Sequence, residues 1–211
     1  MKTECLIDLL AQDDTPPQAV APRLFLWSGL ALLGSATVAL SILGIRADLV
    51  AALGDPVVLM KWLLPLAIAL PALRAALRLT RPQPRRVPAQ HLVAAALAAG
   101  AIWLILSMLA AAPGTLWPEM RGNSLVICLT TITLISAVPL GLGLMVLRAG
   151  ASPAPMRSGG LLGLGVGGLS AALYALHCNE DSPLFFLTWY GLAILIVGAA
   201  GALMGRYLLR W

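Results

Sequence analysis

Long apolar stretches alternate with short polar ones along the chain. Uncharged runs cover 24–45, 122–147 and 182–205, and each reaches the about 20 residues a helix needs to cross the hydrocarbon of a bilayer. Breaks rich in Pro, Gly, Asp and Arg separate these runs from three further apolar stretches. The pattern predicts six spanning helices at about 24–45, 57–79, 91–112, 123–147, 158–177 and 184–207. The fold class is therefore all-α, a polytopic membrane protein with six transmembrane helices in a bundle. Pro65, Pro71 and Pro139 fall inside these spans as candidate kinks. On the fifth, Gly159, Gly163 and Gly167 recur at every fourth position beside Gly160, Gly165 and Gly168, a spacing that lets helix backbones approach closely.

The polar segment ahead of the first span has its own pattern. Residues 1–22 form a cytoplasmic N-terminal segment and 23–211 the transmembrane domain. Thr3 can cap a short amphipathic helix running to Gln12, before the breaker Thr15-Pro16-Pro17. Leu6, Leu9 and Leu10 lie at i, i+3 and i+4, with Cys5 beside them and Glu4 and Asp8 flanking. A helix this short is marginal alone in water, so it is expected to order against something else. Its early acidic residues argue against a cleavable signal peptide.

Composition sharpens this picture. With 60% hydrophobic and 11% charged residues, the chain lacks the charge a soluble domain needs to cover its surface. The net charge of +5 is unevenly spread: eleven of the 14 basic residues fall at the N-terminus, in the second and fourth connections and at the C-terminus. Arg46, Lys61 and Arg121 lie on the other side. Basic residues near span ends stay cytoplasmic, which puts both termini inside. The positive charge then reflects topology and contact with the headgroups of the lipid bilayer, and calls for no nucleic acid. Lys61, near the outer end of the second span, is expected to snorkel to the interface.

Candidate chemistry is sparse. No Asp or Glu falls at mid-depth in a predicted span, and His91 and His177 lie at span edges, which argues against a charge-coupled transporter. No nucleotide-binding or nucleophile motif is present, so no enzyme and no cofactor are expected. Cys128 opens the fourth span and Cys178 closes the fifth, so both sulfurs belong near the outer face. An oxidising compartment allows a disulfide there, given Cα atoms within about 7 Å. With His177, and with Glu180 and Asp181 close by, the thiolates equally suit transient binding of a soft metal. The plainer reading makes the cysteines small buried hydrophobes and His177 a solvated interfacial residue. Cys5, on the cytosolic side, is expected to pack.

Several segments together resemble one family across essentially the whole chain. They are Lys2 through Leu10, Asn123-Ser124 through Cys128-Leu129, Tyr174 through Glu180, Trp189-Tyr190, and Gly205 through Trp211. The most specific parts are Leu176-His177-Cys178-Asn179-Glu180 and the terminal Arg210-Trp211. These resemble the NrsF family of bacterial membrane anti-sigma factors. The resemblance implies a regulator that holds an extracytoplasmic-function (ECF) sigma factor inactive at the inner membrane. Heavy metal or oxidative stress would release the partner through two outer-face cysteines, which carry over to Cys128 and Cys178. The N-terminal segment, with one Lys against four acidic residues, would cover a basic sigma-factor surface with Glu4 and Asp8. It would fill an apolar groove with Leu6, Ile7, Leu9 and Leu10. The competing functions are a small permease or metal exporter with Cys and His ligands, and a scaffold subunit.

Overall fold

The computed structural model describes Thr3, Glu4, Ile7, 19–81 and 88–210. These residues form helices and connections, with no strand among them. The long helices are α1 (Val20–Leu43), α2 (Pro56–Arg78), α3 (Ala89–Ala110), α4 (Leu125–Leu147), α5 (Pro155–Tyr174) and α6 (Pro183–Leu208). A one-turn helix, Leu49–Ala52, and a short one, Leu116–Arg121, lie in two of the connections.

Local chemistry explains the boundaries. Asp55 caps α2 by accepting hydrogen bonds from the N–H groups of Val57 at 2.7 Å and Val58 at 3.4 Å. Pro56, Pro155 and Pro183 open α2, α5 and α6, where a missing N–H costs nothing and the fixed φ is already helical. Pro155 draws α5 three residues ahead of its predicted start, and the helix also ends three residues early, at Tyr174. The chain then tightens, with His177 N–H donating to Tyr174 O at 2.9 Å, so Cys178 sits in the connection rather than on the helix. Gly122, at φ 54°, separates the short helix from α4, which starts at Leu125 rather than 123. Helix α1 opens at Val20, inside the segment assigned to 1–22, with Pro22 in its first turn.

Five helical stretches are long and apolar enough to cross a membrane: α1, α2, α3, Leu116–Leu147 and α6. Helix α5 is not among them, because six of its twenty residues are glycine. It is nevertheless the centre of the bundle, packing most extensively on α6 and then on α2 and α4. Helix α1 lies along α4, where Ser28 Oγ donates to the carbonyl of Pro139 at 2.8 Å in a buried position. Helix α3 leans on α2 and part of α6.

Glycine permits the central packing. A methyl group on Gly159 would overlap the Gly201 carbonyl oxygen, and one on Gly163 would overlap that of Val197. On the opposite face, a methyl group on Gly168 would lie 2.6 Å from Pro65 O. Helix α5 thus meets α6 on one side and α2 on the other at backbone distance.

The connections sort into two ends. Arg46 N–H donates to Leu176 O at 3.0 Å, and Trp189 Nε1 donates to Met120 O at 2.7 Å. The α1–α2, α3–α4 and α5–α6 connections therefore gather at one end, the Arg46 end. At the other, the Thr80 end, Gly150 of the α4–α5 connection lies so close to Thr80 that a methyl group on it would sit 2.6 Å from Thr80 Cβ.

Candidate functional site

The Arg46 end holds a buried cluster built from α2, α4, α5, α6 and two connections. Its apolar floor contains Ile132, Tyr174, Phe185, Phe186 and Tyr190, and both Cys128 and Cys178 belong to it. The thiols are 0% and 2% exposed, and neither is in a disulfide. The sequence thus places both sulfurs at one end, and the fold brings them into one core. The rings of Tyr174 and Tyr190 meet edge to face at 5.9 Å between centroids. The Tyr174 hydroxyl finds no hydrogen-bond partner among the described residues.

Over this floor lies an ionic network that the sequence reading missed. Lys61, expected at the interface, is 0% exposed. It does not snorkel, because its Nζ finds partners inside: it donates to Cys178 O at 2.7 Å and to Asp181 Oδ1 at 2.9 Å. Such partners offset the high cost of removing an ammonium from water. Arg46, 8% exposed, donates Nη1 to the same two acceptors, at 3.1 Å to Cys178 O and 2.8 Å to Asp181 Oδ1. Its Nη2 reaches Asp181 Oδ2 at 2.8 Å, and Nε and Nη2 together grip Asp48 at 2.8 Å each. Two cations and two carboxylates balance.

The charges hold one another ionised. Hydrogen bonds from Arg46 keep the Asp48 carboxyl at about 2. For Asp181, partial burial pulls upward, but the bonds from Arg46 and Lys61 and their positive charges outweigh it and hold the carboxyl below its ordinary range. Asp48 and then Asp181 push the Arg46 guanidinium further up. One signal was available in the sequence: Lys61 is the single charge in the first half of its apolar stretch, and the nearby connections carry Arg46, Asp48 and Asp181.

The other predicted sensor residues brace connections. The ring Nδ1 of His177 pairs with Gly44 O at 2.9 Å, and Glu180 Oε1 accepts from Asn123 N–H at 2.8 Å. Among the described residues, no group of three or more His, Cys, Asp and Glu stands together to hold a metal, so Cys128, Cys178 and His177 do not form an assembled ligand set here. Of the predicted partner-binding residues, Glu4 and Ile7 are helical and exposed. Leu6, Asp8, Leu9 and Leu10 lie outside the described residues, as does Cys5.

Comparison with known proteins covers the whole chain. The family model NrsF, negative regulator of sigma F, matches residues 10–211. The anti-sigma-F factor NrsF of Caulobacter vibrioides is 35% identical over 217 residues, covering 100% of both chains. The probable anti-sigma-F factor NrsF of Azospira oryzae is 32% identical, also over 100% of both. No solved structure matches.

Proposed function

The chain belongs to the NrsF family of negative regulators of sigma F, and from that premise we propose that it is a membrane-bound anti-sigma factor of the bacterial inner membrane. It holds an ECF sigma factor through the segment 1–22 and releases it when Cys128 and Cys178 meet a soft metal or an oxidant. The observation that carries this reading is the separation of the two functions. Both thiols lie in one cluster at the Arg46 end. The segment that would bind the partner leaves α1 at Val20, beside Arg78 and Thr80 at the opposite end. A protein that senses on one side of a membrane and acts on the other needs this arrangement.

In this reading the Arg46 end is outside and the Thr80 end is cytoplasmic. Most of the basic residues fall at the Thr80 end, as orientation by basic flanks requires. Helix α5 is the sixth crossing, since its connections reach opposite ends of the bundle. Its glycines are tolerated because it faces other helices rather than lipid. The segment 1–22 is acidic and amphipathic, and Ile7 is 58% exposed, so an apolar side chain is available to a partner.

The sigma factor should co-purify with the full chain from solubilised membranes and fail to do so when residues 1–12 are deleted. Cys128→Ser and Cys178→Ser should each still bind the partner and fail to release it under a soft metal or an oxidant. Co-purification with the truncated chain would end the docking assignment. Normal release by the double cysteine variant would leave the thiols as core residues only.

A further inference from the structure

Lys61 joins the connection that carries Cys178 to a helix that runs the length of the bundle. Its ammonium is wholly buried and touches one main-chain atom of that connection, Cys178 O at 2.7 Å. Arg46 holds the same carbonyl at 3.1 Å. A cation so placed cannot lose an acceptor cheaply, since water does not replace it. If Cys178 turns so that its sulfur can bond elsewhere, its carbonyl turns too. The outer end of α2 must then follow the carbonyl or leave Lys61 with Asp181 alone.

Helix α2 runs unbroken from Pro56 to Arg78, through Pro65 and Pro71. It rests on α5 at Gly165 and Gly168, where the α5 backbone comes up against Leu73, Ala69 and Pro65. That surface offers few side chains to lock the register. The far end of α2, about 25 Å away at the helical rise, carries Leu77 and Arg78. These line a groove with Val20, Pro22 and Thr80, at the point where the N-terminal segment joins α1. The α2 path therefore runs from the carbonyl of a sensor cysteine to the root of the partner-binding segment through one continuous helix.

We propose that Lys61 is the positioning residue through which α2 follows Cys178, and that α2 carries the signal across the membrane to the root of the N-terminal segment. This rests on the thiol-sensing reading above, and the test separates the two. The full chain, in membranes with its sigma factor bound, is treated with diamide. The reagent takes up two electrons and two protons as two thiols become one disulfide. The Cys128–Cys178 bond is followed by peptide mapping, and release by sedimentation of the sigma factor.

In K61M the disulfide should form to the wild-type extent, while release falls about tenfold. K61R, which keeps the charge and donors, should recover part of it. Release from K61M at the wild-type level overturns the proposal. Should K61M fail to accumulate, amide exchange in the wild-type chain decides. Diamide should speed exchange at 73–78 in α2, and a change confined to 148–157 overturns the α2 path. If the wild-type chain forms no disulfide, sensing of an oxidant falls, and if the double cysteine variant releases normally, thiol sensing falls altogether; either result takes this inference with it.

Discussion

Helices α3 and α5 both pack on α2, and their sequences differ as sharply as their surroundings. Helix α3 is mostly Ala, Leu and Ile with one glycine, and two of its 22 residues are buried. Leu92, Ile102, Ile105, Leu106 and Leu109 are each more than half exposed. Helix α5 carries six glycines, and twelve of its twenty residues are buried. In a water-soluble protein the more apolar helix would be the inner one. Here only 6% of the most apolar stretch of α3 is buried, against 56% for α6. Lipid is as apolar as leucine, so burial between helices yields little from hydrophobicity and depends on how closely backbones can pack. Between α3 and α5, small side chains rather than apolarity decide which helix lies inside.

The sharpest way to break that contrast is to give α5 a side chain. Gly163→Leu drives a branched chain into the Val197 carbonyl and Gly198, neither of which can yield without moving α6. The expected cost is about 3 kcal/mol or more, seen as loss of folded protein in detergent and a collapse in thermal stability. Accumulation at the wild-type level would show that the seam is loose and that α5 is not the hub.

The ionic cover of the Arg46 end comes next. Asp181→Ala leaves the wholly buried Lys61 with one carbonyl, at an expected cost of about 3 kcal/mol. Asp48→Ala removes a side chain that is 59% exposed and bonded to Arg46, and should change thermal stability little. Equal effects would mean that the network acts as a surface feature rather than a buried clamp.

Acid should act later than ordinary carboxylates would suggest. Both Asp48 and Asp181 have folded-state values below their unfolded ones. The stability they contribute is therefore fully present above the unfolded value of about 3.9 and is lost as pH falls through the folded one, about 2 for Asp48. Melting temperature in micelles should owe no change to this pair between about pH 7 and 5 and should fall below about pH 4. A drop between pH 7 and 5 that Asp181→Asn abolishes would refute the assigned direction.

The smallest effect belongs to α3. Ile105→Val on its exposed side should stay within about 0.5 kcal/mol of wild type, read in the same melting assay. A larger loss would show that another protein surface covers α3.

The sequence by itself determined the all-helical, apolar class, the count of long helices, the uneven placement of basic residues and the shared end of Cys128 and Cys178. These follow from one-dimensional quantities: run length, charge placement and the alternation of ends that each added helix imposes. The glycine spacing on α5 was legible too, but not its partners, because Gly201 and Gly205 acquire meaning only when α6 lies against Gly159. Lys61 is the clearest case of what tertiary structure alone decided. From the sequence it is a long cation near a span end, and a snorkelling side chain is the cheapest solution for a helix considered alone. The fold supplies Cys178 O and Asp181 Oδ1 from a connection about 120 residues away, which no local pattern encodes. With those partners in place, the same ammonium turns inward and ties α2 to the connection that carries Cys178, because a buried charge goes where its counter-charge and acceptors are.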